Sequence, residues 1–185
     1  MRRALPWILG GLLVIAAGAI TAVTPDDESL VGATVQRGSF GDTVASRTLI
    51  ATASDATFAD ELAVPSSDWS AAGNWLIVTV VASAPTTEVD SAIQLATLVV
   101  GDRVFHSSER PSASLKGTPL RVGIDTVGTL AFELPPDVTT GTAELRLTTS
   151  YVTPELDDLV AIPLVLDDLE RTASIELVDS GVSAP

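Results

Sequence analysis

The segment from Trp75 to Ala82 (WLIVTVVA) limits what this chain can fold into more than any other stretch. It is almost continuously apolar and rich in β-branched residues, yet too short for a globular helix. It reads as a central strand covered on both sides. From Val31 onward the chain keeps the same style, with short apolar or alternating runs separated by Gly, Pro, Asp and Ser. Val44 to Ala53 is one such run, and Ala56 to Val64 continues as a second short strand. Ile93 to Val100 and Arg103 to Ser107 flank Gly101-Asp102, a Gly-first pair that fits a type II′ hairpin turn.

Later runs alternate cleanly. Leu130, Phe132 and Leu134 share one face of Gly128 to Leu134, and Ala143, Leu145 and Leu147 share one face of Ala143 to Thr149. Ile162, Leu164 and Leu166 form another stripe, and Ile175 with Leu177 a last short one. Pro163 assigns its strand to a sheet edge or a strand start, because proline donates no ladder hydrogen bond. About eight or nine strands at such spacing predict an all-β, antiparallel sandwich. After residue 30 no amphipathic helix of three turns is visible. Only Pro154 to Leu159 offers a helical turn, with Thr153 as cap and Pro154 in the first position. The runs at Trp75–Ala82 and Ile93–Val100 are expected to be interior strands, since exposed they would promote aggregation.

Ala4 to Val23 is different in kind, a run of 20 residues without a charge. About 20 helical residues cross a hydrocarbon core of roughly 30 Å. Arg2 and Arg3 precede the run, and Asp26, Asp27 and Glu28 follow it. Retention of basic residues on the cytoplasmic side gives residues 1–3 as a cytoplasmic stub and 4–23 as a transmembrane signal anchor. Residues 24–30 then form a stalk, 31–180 an extracellular sandwich and 181–185 a frayed tail. The alternative is a cleaved signal peptide and a secreted domain, with Ala17-Gly18-Ala19 as the small-residue site and Ile20-Thr21-Ala22 as a poorer one. The run exceeds the usual signal core, which favours the anchor.

Composition excludes several functions. Without Cys the chain has no disulfide scaffold, thiolate metal site, Cys nucleophile or lipid-modified Cys. A formal charge of −14 argues against nucleic acid as a partner, which needs a basic surface. Beyond the first three residues, eight basic side chains face 24 acidic ones, a net of −16 that suits solubility rather than adhesion to anionic lipid.

The order of a Trp75-led strand, the Gly101-Asp102 hairpin and Gly128-Thr129-Leu130-Ala131-Phe132-Glu133-Leu134-Pro135 resembles the Ig-like immunoprotective extracellular superfamily. Its members are membrane- or lipid-anchored extracellular domains of unknown function, common in Gram-positive and especially actinobacterial cells. Phe105 stands where that family usually has Tyr, and Ala82-Ser83 where its first motif commonly closes with Asn. The resemblance spans roughly Val31 to Thr149, with Tyr151 to Ser180 as an extension. It implies an immunoglobulin-type sandwich and carries no catalytic residue.

Candidate sites follow from the few unusual residues. His106, the one histidine, is what a Ser-His-acid hydrolase would have to use, but no G-x-S-x-G elbow accompanies it. Asp157-Asp158 and Asp167-Asp168 with Glu170 could ligate Ca²⁺, although neither has the calcium-loop spacing, so solvated acidic turns are the default. Trp75 is expected in the core. Trp69 lies in the loop-like stretch Val64 to Asn74, either as a contact residue or folded back over the end of the sandwich. That stretch and Ser107 to Leu120 are the expected partner-binding loops, with Trp69, Asp68, His106 and Arg110 as contact residues. No catalytic residue, cofactor or metal ligand is assigned. The expected function is a non-catalytic binding or accessory module at the cell envelope, with an unidentified protein partner at the membrane.

Overall fold

The computed structural model describes residues 32–89, 91–151 and 157–182. The stub, anchor and stalk assigned to residues 1–30, and the helical turn at 154–156, lie outside the described residues. Among the described residues, no helix is long and apolar enough to cross a membrane.

Among the described residues twelve strands follow one another: β1 (Thr34–Arg37), β2 (Val44–Ala45), β3 (Ile50–Val64), β4 (Trp69–Ser83), β5 (Leu95–Val100), β6 (Arg103–His106), β7 (Thr126–Leu134), β8 (Thr142–Thr148), β9 (Asp158–Val165), β10 (Arg171–Thr172), β11 (Ile175–Glu176) and β12 (Gly181–Val182). They form two sheets, one in the order β1-β9-β8-β5-β6 and one in the order β10-β3-β4-β7-β12. The short β2 and β11 also pair with β3. The result is an all-β sandwich.

The alternating stripes meet between the sheets. Leu130, Phe132 and Leu134 of β7 pack with Leu145 and Leu147 of β8 and with Val160, Ile162 and Leu164 of β9, all at most 3% exposed. Both predicted interior runs are interior: β4 lies between β3 and β7, and β5 between β8 and β6. At the β5–β6 turn Gly101 takes φ +58 while Asp102 stays out of the positive region, the sign pattern of a type II′ turn. Pro163 departs from its expectation, because β9 lies between β1 and β8 and Pro163 stands near its end rather than its start; the strand tolerates it for a local reason. Ala161 turns its carbonyl toward Gly38 on the β1 side at 3.2 Å, so Pro163, two residues on, turns its nitrogen to the same side. There β1 has already ended at Arg37.

Several expectations need correction. The sandwich is not wholly antiparallel, because β1 runs parallel to β9, and β10 and β11 run parallel to β3. Residues expected as two strands, Val44–Ala53 and Ala56–Val64, are largely one strand of 15 residues, preceded by the two-residue β2. An irregularity at Ser54, between the pairs Ala53/Val80 and Asp55/Thr79, keeps β3 continuous. It shifts the inward set from Ala51 and Ala53 to Ala56 and Phe58. Asp158 and Leu159 begin β9 instead of ending a helical turn. Gly181 and Val182 do not fray as the tail was expected to, but pair with Val127 and Thr126.

One ion pair joins the two sheets. The Asp158 carboxylate, with its side chain 1% exposed, accepts from the backbone N–H of Arg47 at 2.6 Å and from its Nε and Nη2 at 3.0 and 2.8 Å. Arg47 lies in the turn between β2 and β3. The side-chain hydrogen bond from Arg47 holds Asp158 below the ordinary carboxylate range, although burial works in the opposite direction. An unfolded Asp ionises near about 3.9, so this contribution is complete above that pH and is lost as the pH falls toward the lower folded value. Removing the acceptor removes three hydrogen bonds to a charged group. We expect Asp158→Ala to lower stability by about 1.5–3 kcal/mol at neutral pH. In denaturant titrations at stepped pH, Asp158→Asn should lose part of the wild-type decline below about pH 4.

Candidate functional site

A second apolar cluster lies on the outer face of the β3-β4-β7 sheet. Ala59, Leu62, Val64, Trp75, Ile77, Ala113, Ala131 and Leu177 are all buried there. Its origin is a second irregularity at Asp60, between the pairs Ala59/Trp75 and Glu61/Ala72. Phe58 points into the core between the sheets, and beyond the bulge Leu62 and Val64 pack on the outer face. On β4, Trp69 and Ala71 pack against the same cluster as Trp75. Val64 to Asn74 is therefore not the long loop expected from its composition. Its connection is a 3-10 turn at Pro65–Ser67 followed by Asp68 in the left-handed region at φ +51, and Trp69 already pairs with Val64. Ser-Ala-Ala-Gly-Asn is loop-like in composition, and the apolar partners of Trp69 and Ala71 on β3 hold it in a strand.

The pair β3–β4 outruns the rest of its sheet, because β7 accompanies β4 only as far as Asn74. The hairpin beyond that point is braced from its sides. Ile175 of β11 pairs with Leu62, and Leu177 donates its N–H to the Ala63 carbonyl at 2.8 Å. Ser112 donates to Ser67 at 2.9 Å, tying the 107–120 loop to the hairpin tip.

Trp75 is fully buried, and its indole N–H donates to the Ala71 carbonyl at 3.0 Å. A Cβ on Gly73 would stand 3.0 Å from that indole nitrogen, so glycine there gives the ring its room. Trp69 meets Trp75 edge-on, with centroids 6.1 Å apart and planes at 83°. Arg110, from the 107–120 loop, sits 5.6 Å from the Trp69 centroid and 5.7 Å from that of Trp75. Its Nη1 donates to Glu133 Oε2 at 2.7 Å, and Glu133 is the β7 residue paired with Trp75.

Of the four expected contact residues, the structure joins Trp69 and Arg110 directly and places Asp68 next to Trp69 at the exposed tip. His106 is not part of this arrangement. It is an exposed residue of β6 in the other sheet, paired with Thr97, and its imidazole makes no hydrogen bond among the described residues. Glu133 was missed; its outward position beside the core residues Phe132 and Leu134 marks a surface carboxylate but not its Arg110 partner. The calcium expectation finds Asp158 occupied by Arg47, and Asp167 accepting from the Gly141 N–H at 2.7 Å. Among the described residues, no group of three or more potential ligands is placed to hold a metal ion.

The 107–120 loop also forms one wall of an open cleft of about 420 Å³ against Gln94, Leu95 and Tyr151. Lys116 and Glu109 form an ion pair within it.

No protein-family model matches the chain, and no curated protein is significantly similar to it. Among solved structures, the chain is similar to an uncharacterized β-sandwich protein from Clostridium difficile 630. The TM-score is 0.48 at 9% identity, over 76% of this chain and 99% of that one.

The two tryptophans should separate in their effects. Trp75→Ala should remove about 3–5 kcal/mol of stability. A double-mutant cycle of Trp69→Ala with Arg110→Ala should give a coupling of about 0.5–1 kcal/mol in urea unfolding, and strict additivity would remove the cation–π contact from the account.

Proposed function

We infer that this chain is an extracytoplasmic immunoglobulin-type module, held at a membrane by residues 4–23, that works by binding a protein partner rather than by catalysis. The strand order supports the immunoglobulin reading. One sheet runs β3-β4-β7-β12 and the other β9-β8-β5 with β6 at its edge. Numbered along the chain, β3-β4-β7 follow strands A, B and E and β9-β8-β5 follow G, F and C of that architecture, while β12, last in the chain, takes the edge where strand D would lie.

The observation that carries the binding role is the Trp69–Arg110 platform at the protruding hairpin. Aromatic and Arg side chains contribute most where they sit preorganised on a rigid support. Trp69 is braced by Trp75 and Arg110 by Glu133, so a partner meets an ordered surface. The platform is also remote from the chain's entry point. Thr34 at the start of β1 pairs with Asp158, Asp158 binds Arg47, and Ile50 pairs with Ser83, so entry lies at the Ser83 end of β4. Trp69 is at the other end of that strand. The alternative of a cleaved, secreted domain uses the same platform on a soluble carrier.

Crosslinking of the full-length protein in its native membrane, read by mass spectrometry, tests this function. A reproducible partner crosslinked around residues 65–69 and 110–112, and lost in Trp69→Ala, is the expected result. Partners unchanged in Trp69→Ala and Arg110→Glu would remove the platform as the binding surface. N-terminal sequencing of the mature protein separates the tethered from the secreted form, since cleavage gives a start near Ile20 or Val23.

A further inference from the structure

The strand β4 runs past its neighbour with one edge open. β7 ends at Leu134, opposite Asn74, because Pro135-Pro136 follow and have no N–H with which to continue a ladder. Asn74 Nδ2 donates to the carbonyls of Pro135 and Val138 at 2.9 and 3.0 Å, which holds the turn where the chain leaves the sheet. From Gly73 back to Trp69, β4 keeps only β3 as a strand partner. Ala63 gives its carbonyl to Leu177 on the far side of β3, so Ala63 and its partner Ser70 both turn their backbone groups away from each other. The N–H and C=O of Ser70, and of Ala72 two residues on, therefore point to the open side. Both residues are exposed, and among the described residues these groups have no hydrogen-bond partner. The 107–120 loop gives the N–H groups of Ser108 and Leu115 to Ala131 and Thr129 at 2.7 and 2.9 Å, and so covers the edge of β7 and not this one.

Unpaired edges invite another strand, and folded proteins guard them with charge or proline. β1 ends in Arg37 and β6 begins with Arg103. Trp69-Ser70-Ala71-Ala72-Gly73 carries neither charge nor proline. The surroundings define the charge of the occupant. Asp68 and Glu61 are exposed and form no ion pair among the described residues, whereas Arg110, Arg171 and Lys116 are each held by a carboxylate. A second copy of this chain would bring its own strong negative charge to the contact. We propose that the Trp69–Gly73 edge of β4 receives an extended, basic segment of the partner protein as an added strand. This rests on the platform reading: main-chain hydrogen bonds to Ser70 and Ala72 set the register, and Trp69 with Arg110 meets the side chains on the outer face.

Amide hydrogen exchange on the full-length chain in lipid nanodiscs, followed residue by residue by NMR, tests the proposal with the synthetic peptide Lys-Val-Thr-Val-Lys as probe. With the peptide saturating, exchange at Ser70 and Ala72 should slow about tenfold or more, while Ala71, whose N–H faces Leu62 of β3, should not change. N-methylation of alternate peptide residues gives two forms. The one that keeps its N–H groups toward β4 should bind, and the other should weaken about tenfold, as should Glu-Val-Thr-Val-Glu. Ala72→Pro removes an N–H that no ladder uses, so it should leave the melting temperature unchanged and weaken the peptide about tenfold. No slowing at Ser70 and Ala72 would overturn the proposal, as would equal binding of the two N-methylated forms or of the acidic peptide. Slowing that appears without peptide and grows with protein concentration would assign the edge to a second copy and equally end it. Native-membrane crosslinking separates this proposal from the platform itself: a partner lost in Trp69→Ala but fully captured by Ala72→Pro leaves the platform standing and removes the added strand.

Discussion

The rest of the molecule depends on one strand that changes sides. β3 runs for 15 residues and is offset twice against β4, at Ser54 and at Asp60. Side chains on a strand alternate between faces, so each offset exchanges the inward and outward sets. Before the second offset, Ala56 and Phe58 fill the space between the sheets; after it, Leu62 and Val64 build a second core on the outer face. That second core gives Trp75 a buried position outside the main core, gives Trp69 a wall to lean on, and gives the 107–120 loop and the C-terminal segment something to cover. A straight β3 would have turned Leu62 and Val64 elsewhere and left the hairpin without support. Arg171 reinforces the bend: it stacks 4.9 Å from the Phe58 centroid and donates to Asp60 and Asn74 at 2.7 Å each.

This division explains what could be read from sequence. Period-two alternation reports which residues share a face while the strand stays regular, so β7, β8 and β9 were legible, as was the Gly101-Asp102 hairpin. The continuous apolar run of Trp75 to Ala82 was legible for the same reason, because burial on both faces leaves no polar alternation. The offsets were not. Ser54 and Asp60 look like breaks in a pattern, and a break reads as the end of a strand until its partner is known. The loop-like stretch from Val64 to Asn74 failed in the same way, since Trp69 and Ala71 are strand residues only because Leu62 and Val64 oppose them. Trp69 and Arg110 were singled out as separate features; their contact is made by tertiary packing between residues 41 positions apart. The Arg47–Asp158 pair is less legible still, its members lying 111 positions apart.

Charge completes the picture. Eight basic residues lie beyond the first three positions, and seven of them, all but Arg121, form ion pairs among the described residues. Most of these pairs are exposed, and such pairs contribute little to stability on their own. Their placement matters more. Arg47 joins the β2–β3 turn to β9, Arg171 joins β10 to the offset in β3, and Arg110 joins the 107–120 loop to β7. In a chain with so few cations, these three serve as joints between elements. The remaining carboxylates cover the surface and keep it acidic. Arg110 differs from the other joints because its guanidinium also lies over two indoles while its side chain remains about half exposed. A cation held by its own carboxylate and already stacked on aromatic faces stays ordered without a partner. It loses little freedom when one arrives, which makes it the joint best suited to serve as a contact as well.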